Sequence, residues 1–266
     1  MNILLLTSCN RIKQTLLSLS LNAQIIKDRF SVIIVDSSTP NMDAEAAVNM
    51  HQSEDPYNVV KPNNYCSDVN LLYDAQKWFP QIEQFKVIHF NPRLGKQRGE
   101  ATSVALGLMQ AAIMGDRNID KQNYCLKLTG TSILIKDVLS ELPNELADKD
   151  VMTWHRANIG GYERSTRMFG CRPDALVGHI AKEGWSDWCD DTSGIFEQRF
   201  ARFLERTIGE SKINYTDKSE DGFLLEGGMA MQQIYGRVRI EKFIEDNDIN
   251  TNSTPYLKEF VNGGIW

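Results

Sequence analysis

Short apolar runs alternate with helical faces along the first half of the chain. Ile3-Leu-Leu-Leu6 is strand-length and is broken by the polar Thr7-Ser8-Cys9-Asn10. Ile12, Leu16, Leu19, Ala23 and Ile26 then recur at spacings of four, three, four and three, the repeat of one helix face. Ser31-Val-Ile-Ile-Val-Asp36 is β-branched and short, the composition of a buried strand. Strand, helix and strand within the first 36 residues predict a βαβ unit with parallel pairing and a right-handed crossover.

The alternation continues. Phe85-Lys-Val-Ile-His89 predicts a third strand, and Asn91-Pro-Arg-Leu-Gly-Lys-Gln-Arg-Gly99 a loop rich in Gly, Pro and cations. Small and apolar residues over 100–114 predict a closely packed helix, and Tyr124-Cys-Leu-Lys-Leu-Thr129 a fourth strand ending at Gly130. Between them, Ser37-Ser-Thr-Pro-Asn41 reads as a turn, 58–67 as a polar loop and 68–79 as a helix. Beyond residue 149, strands are expected at 150–154 and 166–169 around Ile159-Gly-Gly161, helices at 193–206 and 222–235, and a polar loop at 247–254. The order predicts an α/β chain with a mixed, mainly parallel, Rossmann-like sheet flanked by helices. A single domain over 1–246 and a C-terminal extension over 247–266 are expected, without internal repeats.

Composition narrows the class. Apolar residues at 42% and charged residues at 24% fit a globular protein and exclude a disordered or collagen-like one. Thirty-five acidic against 29 basic side chains leave a net charge of −6, which argues against a nucleic-acid partner. Five scattered cysteines form no Cys-x-x-Cys pair and the four histidines complete no zinc spacing, so reduced thiols in a cytoplasmic protein are expected. The start mimics a lipoprotein leader ending at Cys9, but it lacks a basic segment and its apolar run stops at Leu6. No transmembrane segment is expected, because no apolar stretch approaches the roughly 18–20 residues that span a bilayer.

In an open parallel sheet, ligands sit beyond the carboxyl ends of the strands. That rule selects four loops. After strand one, Thr7, Ser8 and Arg11 supply hydroxyls and a guanidinium at a helix start; Ser8 or Asn10 is alternatively a plain helix cap. After strand two, Asp36, Ser37 and Ser38 offer a carboxylate for an N–H or hydroxyl, or an ordinary Asx turn. After strand three, Gly95, Lys96 and Arg98 (with Arg93) suit a diphosphate, or form a solvated loop. After strand four come Lys127, Thr129 and Gly130. Lys127 interrupts an apolar strand, and a buried ammonium demands either a nearby carboxylate or an anionic ligand. Familiar motifs are absent. No glycine precedes Gly95, which removes Gly-x-Gly-x-x-Gly. A P-loop is excluded by Phe90 at the upstream glycine position and by Gln97 after Lys96. No Gly-x-Ser-x-Gly occurs.

Strand one with Thr7-Ser-Cys-Asn-Arg11, followed by Val32-Ile-Ile-Val-Asp36-Ser-Ser38, resembles the opening of GT-A glycosyltransferases. Leu94-Gly-Lys-Gln-Arg-Gly-Glu-Ala101 is similar to a Gly-Glu-Ala helix start in viral and bacterial polysaccharide-synthesis transferases. Tyr124-Cys-Leu-Lys-Leu-Thr-Gly-Thr131 is similar to their Lys-x-Thr/Asn-Gly-Arg-Tyr segment. The resemblance covers roughly residues 1–135. It implies a GT-A-like catalytic domain with a nucleotide-binding half (1–135) and an acceptor half (150–235). The implied reaction moves a sugar from a nucleotide-diphosphate donor to a glycan acceptor in polysaccharide or glycoconjugate synthesis. Under it, the Thr7–Arg11 loop and Asp36 hold the nucleoside, while Arg98 and Lys127 face the diphosphate.

Two departures stand out. The family's Asp-x-Asp, which holds Mg²⁺ or Mn²⁺, is replaced by Leu128-Thr129-Gly130, so no cofactor is firmly implied. Thr131-Ser132 replaces the family's Arg-Tyr. Asp187, Asp190 and Asp191 form the one dense acidic cluster, and also read as a polar helix start. The resemblance places a glutamate near 219–228, making Glu226, beside two glycines, the candidate base; Asp221 is a second candidate or an N-cap. His155, Arg156, Arg164 and Arg167 are candidate acceptor or phosphate contacts, or plain surface. Trp154, Trp185 and Trp188 either stack on sugar faces or fill the core. Competing readings are a sugar nucleotidyltransferase, whose Gly-rich signature after strand one is missing, and an inactive nucleotide- or glycan-binding relative.

Overall fold

The computed structural model describes residues 1–39, 66–90, 96–114, 122–155, 164–183, 188, 196–219, 224–225 and 234–265. The first half contains β1 (Asn2–Ser8), α1 (Ile12–Ile25), β2 (Phe30–Asp36), α2 (Asn70–Ala75), β3 (Ile82–His89), α3 (Lys96–Ile113) and β4 (Tyr124–Thr129). The second contains β5 (Ile133–Leu134), α4 (Leu142–Glu145), β6 (Val151–His155), β7 (Arg164–Cys171), α5 (Pro173–Glu183) and α6 (Phe196–Phe203). It closes with β8 (Ile213–Ser219), β9 (Leu224–Leu225), α7 (Ile234–Asp246) and α8 (Pro255–Val261). Seven strands form one sheet in the order β3-β2-β1-β4-β7-β6-β8, while β5 and β9 pair separately. β7 alone runs against its neighbours, so the sheet is mixed and mainly parallel, as the alternating pattern predicts.

Strand alternation builds two cores. Leu4, Leu6, Val32, Ile34, Leu126 and Leu128 face α1, with Leu16 and Leu19 packed on them. Ile3, Leu5, Ile33, Val35 and Cys125 face the other way, onto Val104 and Leu108 of α3 and Phe200 of α6. α3 lies close because Gly107 has no side chain: a Cβ there would stand 2.3 Å from Leu5 Cδ1. β1 therefore sends its crossover to one face and β3 sends its crossover to the other. The sheet's switch point falls between β1 and β4.

Several expectations change. α3 begins at Lys96, so Lys96, Arg98 and Gly99 belong to its first turns rather than to a loop. Neither Ser8 nor Asn10 caps α1: Arg11 is its N-cap with no side-chain bond, and the Cys66 carbonyl takes the Ile12 N–H at 3.1 Å. Within the expected helix at 222–235, Leu224 and Leu225 instead form a strand paired with Leu134 and Ile133, and the described helix there is α7, Ile234–Asp246. Gly222 and the Gly227-Gly228 pair punctuate this segment and leave an apolar run of only three residues, Phe223-Leu-Leu225, too short for a helix of its own. β8 and α5 have no counterpart in the sequence reading. Residues 247–265, expected as an extension, bring Ile249, Tyr256, Leu257 and Phe260 into the α1-side core.

Trp154 is fully buried in one core. Trp188 is buried in the other, donating from Nε1 to the Ala101 carbonyl at 2.9 Å and packed edge-on against Phe196 and Phe203. Both fill the interior, and neither offers a face to a sugar. Cys9, Cys66, Cys125 and Cys171 are free thiols. No described helix is long and apolar enough to cross a membrane.

Candidate functional site at the carboxyl edge of the sheet

The carboxyl ends of β1, β2 and β3 meet in one polar network. Ser8 stands in register with Asp36, and Asp36 with His89. The chain leaving β2 turns back on Asp36: Ser38 donates its N–H to Oδ2 at 3.0 Å and its hydroxyl to Oδ1 at 2.8 Å. His89 Nδ1 lies 3.0 Å from the same Oδ2. Asp36 is fully buried, while the His89 side chain keeps 19% of its surface accessible. The Asx-turn alternative is thus realised, and the second Asp36 partner is a histidine that only strand register places there.

Asn10 ties β1 into this network. Its N–H donates to Ser38 Oγ at 2.7 Å, and its Oδ1 accepts from Thr39 N at 3.1 Å. Asn10 sits at φ +52°, a left-handed position that asparagine tolerates better than most residues. Ser37 donates N–H and hydroxyl to the Ser8 carbonyl at 2.9 and 3.3 Å. Within this network two buried atoms, Ser8 Oγ and Asn10 Nδ2, have no partner among the described residues. Buried polar atoms are normally satisfied, so two open ones in a single network leave room for a further hydrogen-bonding group. Arg11 joins Cys66 in a single parallel bridge at the head of α1.

Across the switch point, Thr7 stands in register with Thr129, and Gly130 donates its N–H to the Thr7 carbonyl at 2.8 Å. A Cβ on Gly130 would lie 2.7 Å from that carbonyl oxygen and 2.5 Å from Thr15 Oγ1. The close approach that glycine permits here is by the protein's own chain.

Lys127 lies on the opposite face from Asp36, as strand parity requires. Its side chain is fully buried. Nζ reaches Glu100 Oε1 of α3 at 3.2 Å and Thr129 Oγ1 at 3.5 Å, and donates to the Thr166 carbonyl of β7. The partner that a buried ammonium needs is a carboxylate of the Gly-Glu-Ala segment. That partner was legible only as a requirement, not as a residue. Strand register thus puts Asp36, with Ser38 and His89 on it, on the α1 face of the sheet and Lys127, with Glu100, on the α3 face, so the structure does not bring Asp36 and Lys127 together.

The side chains of Lys96 and Arg98, together with Arg93, Gly95, Arg156, Trp185, Asp187, Asp190, Asp191, Asp221 and Glu226, lie outside the described residues. So do the side chains of His155 and Arg164, while Arg167 is half-buried on β7. A strand, Leu224–Leu225, ends immediately before the candidate base in the sequence. At the end of β4, Thr129, Gly130, Thr131 and Ser132 present hydroxyls and carbonyls without a carboxylate, and Asp36 is already engaged. That donor set does not fit a hard divalent cation. No group of three His, Cys, Asp or Glu stands together among the described residues.

Comparison with solved structures finds remote likenesses. The galactosyltransferase LgtC, in complex with donor and acceptor sugar analogues, is 12% identical over 80% of this chain and 73% of its own, with a TM-score of 0.47. Staphylococcus aureus TarS 1–349 is 12% identical over 98% and 71%, with a TM-score of 0.47. The glycosyltransferase GlyE of Streptococcus pneumoniae TIGR4 is 8% identical over 96% and 53%, with a TM-score of 0.47. No family model matches the chain, and no curated protein matches it. Likenesses this remote assign the chain no family.

Proposed function

We propose that the chain is a nucleotide-sugar-dependent glycosyltransferase that holds its donor at the carboxyl edge of β1–β4 and passes the sugar to a glycan acceptor. The observation that carries this reading is the network of Asn10, Ser38, Asp36 and His89. It is a preformed polar wall at the ends of parallel strands, with Ser8 Oγ and Asn10 Nδ2 buried beside it and unsatisfied. A nucleoside carries donors and acceptors suited to such a wall, and the switch point beside it is where an open sheet takes ligands. The sequence resemblance supplies the transferred group.

In the proposed reaction an acceptor hydroxyl attacks the anomeric carbon, the bond from that carbon to the diphosphate oxygen breaks, and the hydroxyl proton passes to a carboxylate. Glu226 is the proposed base, with Asp221 the second candidate. Lys96 and Arg98, on the first turns of α3, are the proposed cations for the departing diphosphate. Lys127 enters as a positioning residue that ties β4, β7 and α3 together beneath the crevice. A cytoplasmic location belongs to the same proposal.

Calorimetric titration with UDP, GDP and CMP, and then with their sugar conjugates, tests the reading. One nucleotide is expected to saturate a single site, and its sugar conjugate to be slowly hydrolysed. TarS was solved with UDP and with UDP-GlcNAc, which makes those the first ligands to try. Failure of every nucleotide to bind at millimolar concentration rules the reading out. Tight binding without turnover would leave an inactive binder, and pyrophosphate exchange would mark a nucleotidyltransferase.

A further inference from the structure

Asp36 is poorly placed to touch a ligand. It is fully buried, Oδ1 accepts from the Ser38 hydroxyl, and Oδ2 accepts from the Ser38 N–H and faces His89 Nδ1. A carboxylate so arranged acts only as an acceptor, so the proton between it and the ring sits on Nδ1. In the neutral imidazole this fixes the tautomer and leaves Nε2 with its lone pair. His89 Nε2 has no hydrogen-bond partner among the described residues, and the side chain keeps 19% of its surface accessible. Asn10 Nδ2, on the same network and only 1% exposed by residue, also lacks a partner.

We infer that His89, at the end of β3, is the side chain that contacts the nucleoside, with Nε2 accepting a hydrogen bond from an O–H or N–H of the ribose or the base. Asp36 is then a positioning residue that sets the tautomer and aim of the ring. The inference rests on the nucleotide-site reading and sharpens it. It moves the contact one strand outward from the residue that sequence alone selects.

The test uses the full chain and the nucleotide that it binds best. His89→Phe, which keeps a ring but no acceptor, is expected to weaken binding about tenfold, the effect of one lost hydrogen bond. His89→Gln, which can present an oxygen in the place of Nε2, is expected to recover most of that loss. Asp36→Ala removes the acceptor that holds Nδ1–H and so frees the tautomer and aim of the ring, and it should weaken binding by as much as His89→Phe. Combined with His89→Phe, it should add nothing further. A merely structural role for Asp36, exerted through Ser38, would lower affinity in both backgrounds.

The 2′-deoxy, 3′-deoxy and base-N-methylated forms of the nucleotide identify the donor. The form lacking it should lose the same factor against the parent chain and nothing more against His89→Phe. Parent-like affinity in a folded His89→Phe overturns the assignment, as does a parent chain indifferent to all three analogues. The analogue arm needs no substitution, so it decides the matter even where a variant fails to fold. A parent chain that binds no nucleotide overturns the site reading and this inference with it, whereas binding that ignores His89 overturns this inference alone.

Discussion

At the scale of single residues, Lys127 is the clearest case of a requirement legible in sequence and an answer that is not. An ammonium inside an apolar strand had to find a carboxylate or an anion. The carboxylate is Glu100, 27 positions earlier, a separation that no local pattern reports. The pair is lopsided, with Lys127 fully buried and Glu100 one-quarter exposed. Glu100→Ala strands a buried charge and should cost about 3–5 kcal/mol, whereas Lys127→Met leaves a carboxylate that water can reach and should cost less. Urea unfolding of the two variants checks the order. Gly130→Ala is a second residue-scale case. Its Cβ would meet the main-chain oxygen of Thr7, which has no rotamer to yield, so loss of stability and of nucleotide binding together is expected. Thermal melts and the nucleotide titration read both. Asp36 was visible as a strand-end carboxylate, but its occupation by His89 depends on register between β2 and β3, which hydrophobic pattern does not specify.

At the scale of elements, the strongly periodic and β-branched segments of the first half were readable, because local spacing there agrees with burial. β1, α1, β2, β3 and β4 fall where the apolar pattern places them. The second half was harder. β8 reads Ile213-Asn-Tyr-Thr-Asp-Lys-Ser219, a polar edge strand without a continuous apolar run. β9 is two residues that acquire strand geometry only from pairing with β5. α8 carries clear local signals in Thr254 and Pro255, yet its burial against α1 is a tertiary fact. Thr254 Oγ1 accepts from the Leu257 N–H at 3.3 Å and donates to Ser20 Oγ at 2.9 Å. Thr254→Ala removes both the cap and a buried link between helices, and a loss of about 1–2 kcal/mol is expected from denaturant unfolding.

At the scale of the whole molecule, the α1-side core reaches from the first strand to the last helix, and its titration is felt globally. Tyr256 of α8 has its pKa pushed up to about 12 by burial, with Asp74 of α2 and Glu259 adding repulsion against the phenolate. A pKa raised on folding means that the unfolded chain loses this proton first. The stabilisation is therefore complete below about pH 10 and drains away as pH climbs toward 12. Melting temperature against pH should fall over that window, and Tyr256→Phe should flatten the part of the slope that this phenol causes.

The contact between α1 and α8 also has a bearing on synthesis. Lys13 Nζ meets Glu259 Oε1 at 2.5 Å and Ser20 meets Thr254, so α1 is covered by a helix made some 240 residues later. Until α8 leaves the ribosome, the nascent chain holds that flank of α1 bare. A product stalled or trimmed before α8 would emerge with its apolar flank open to chaperones.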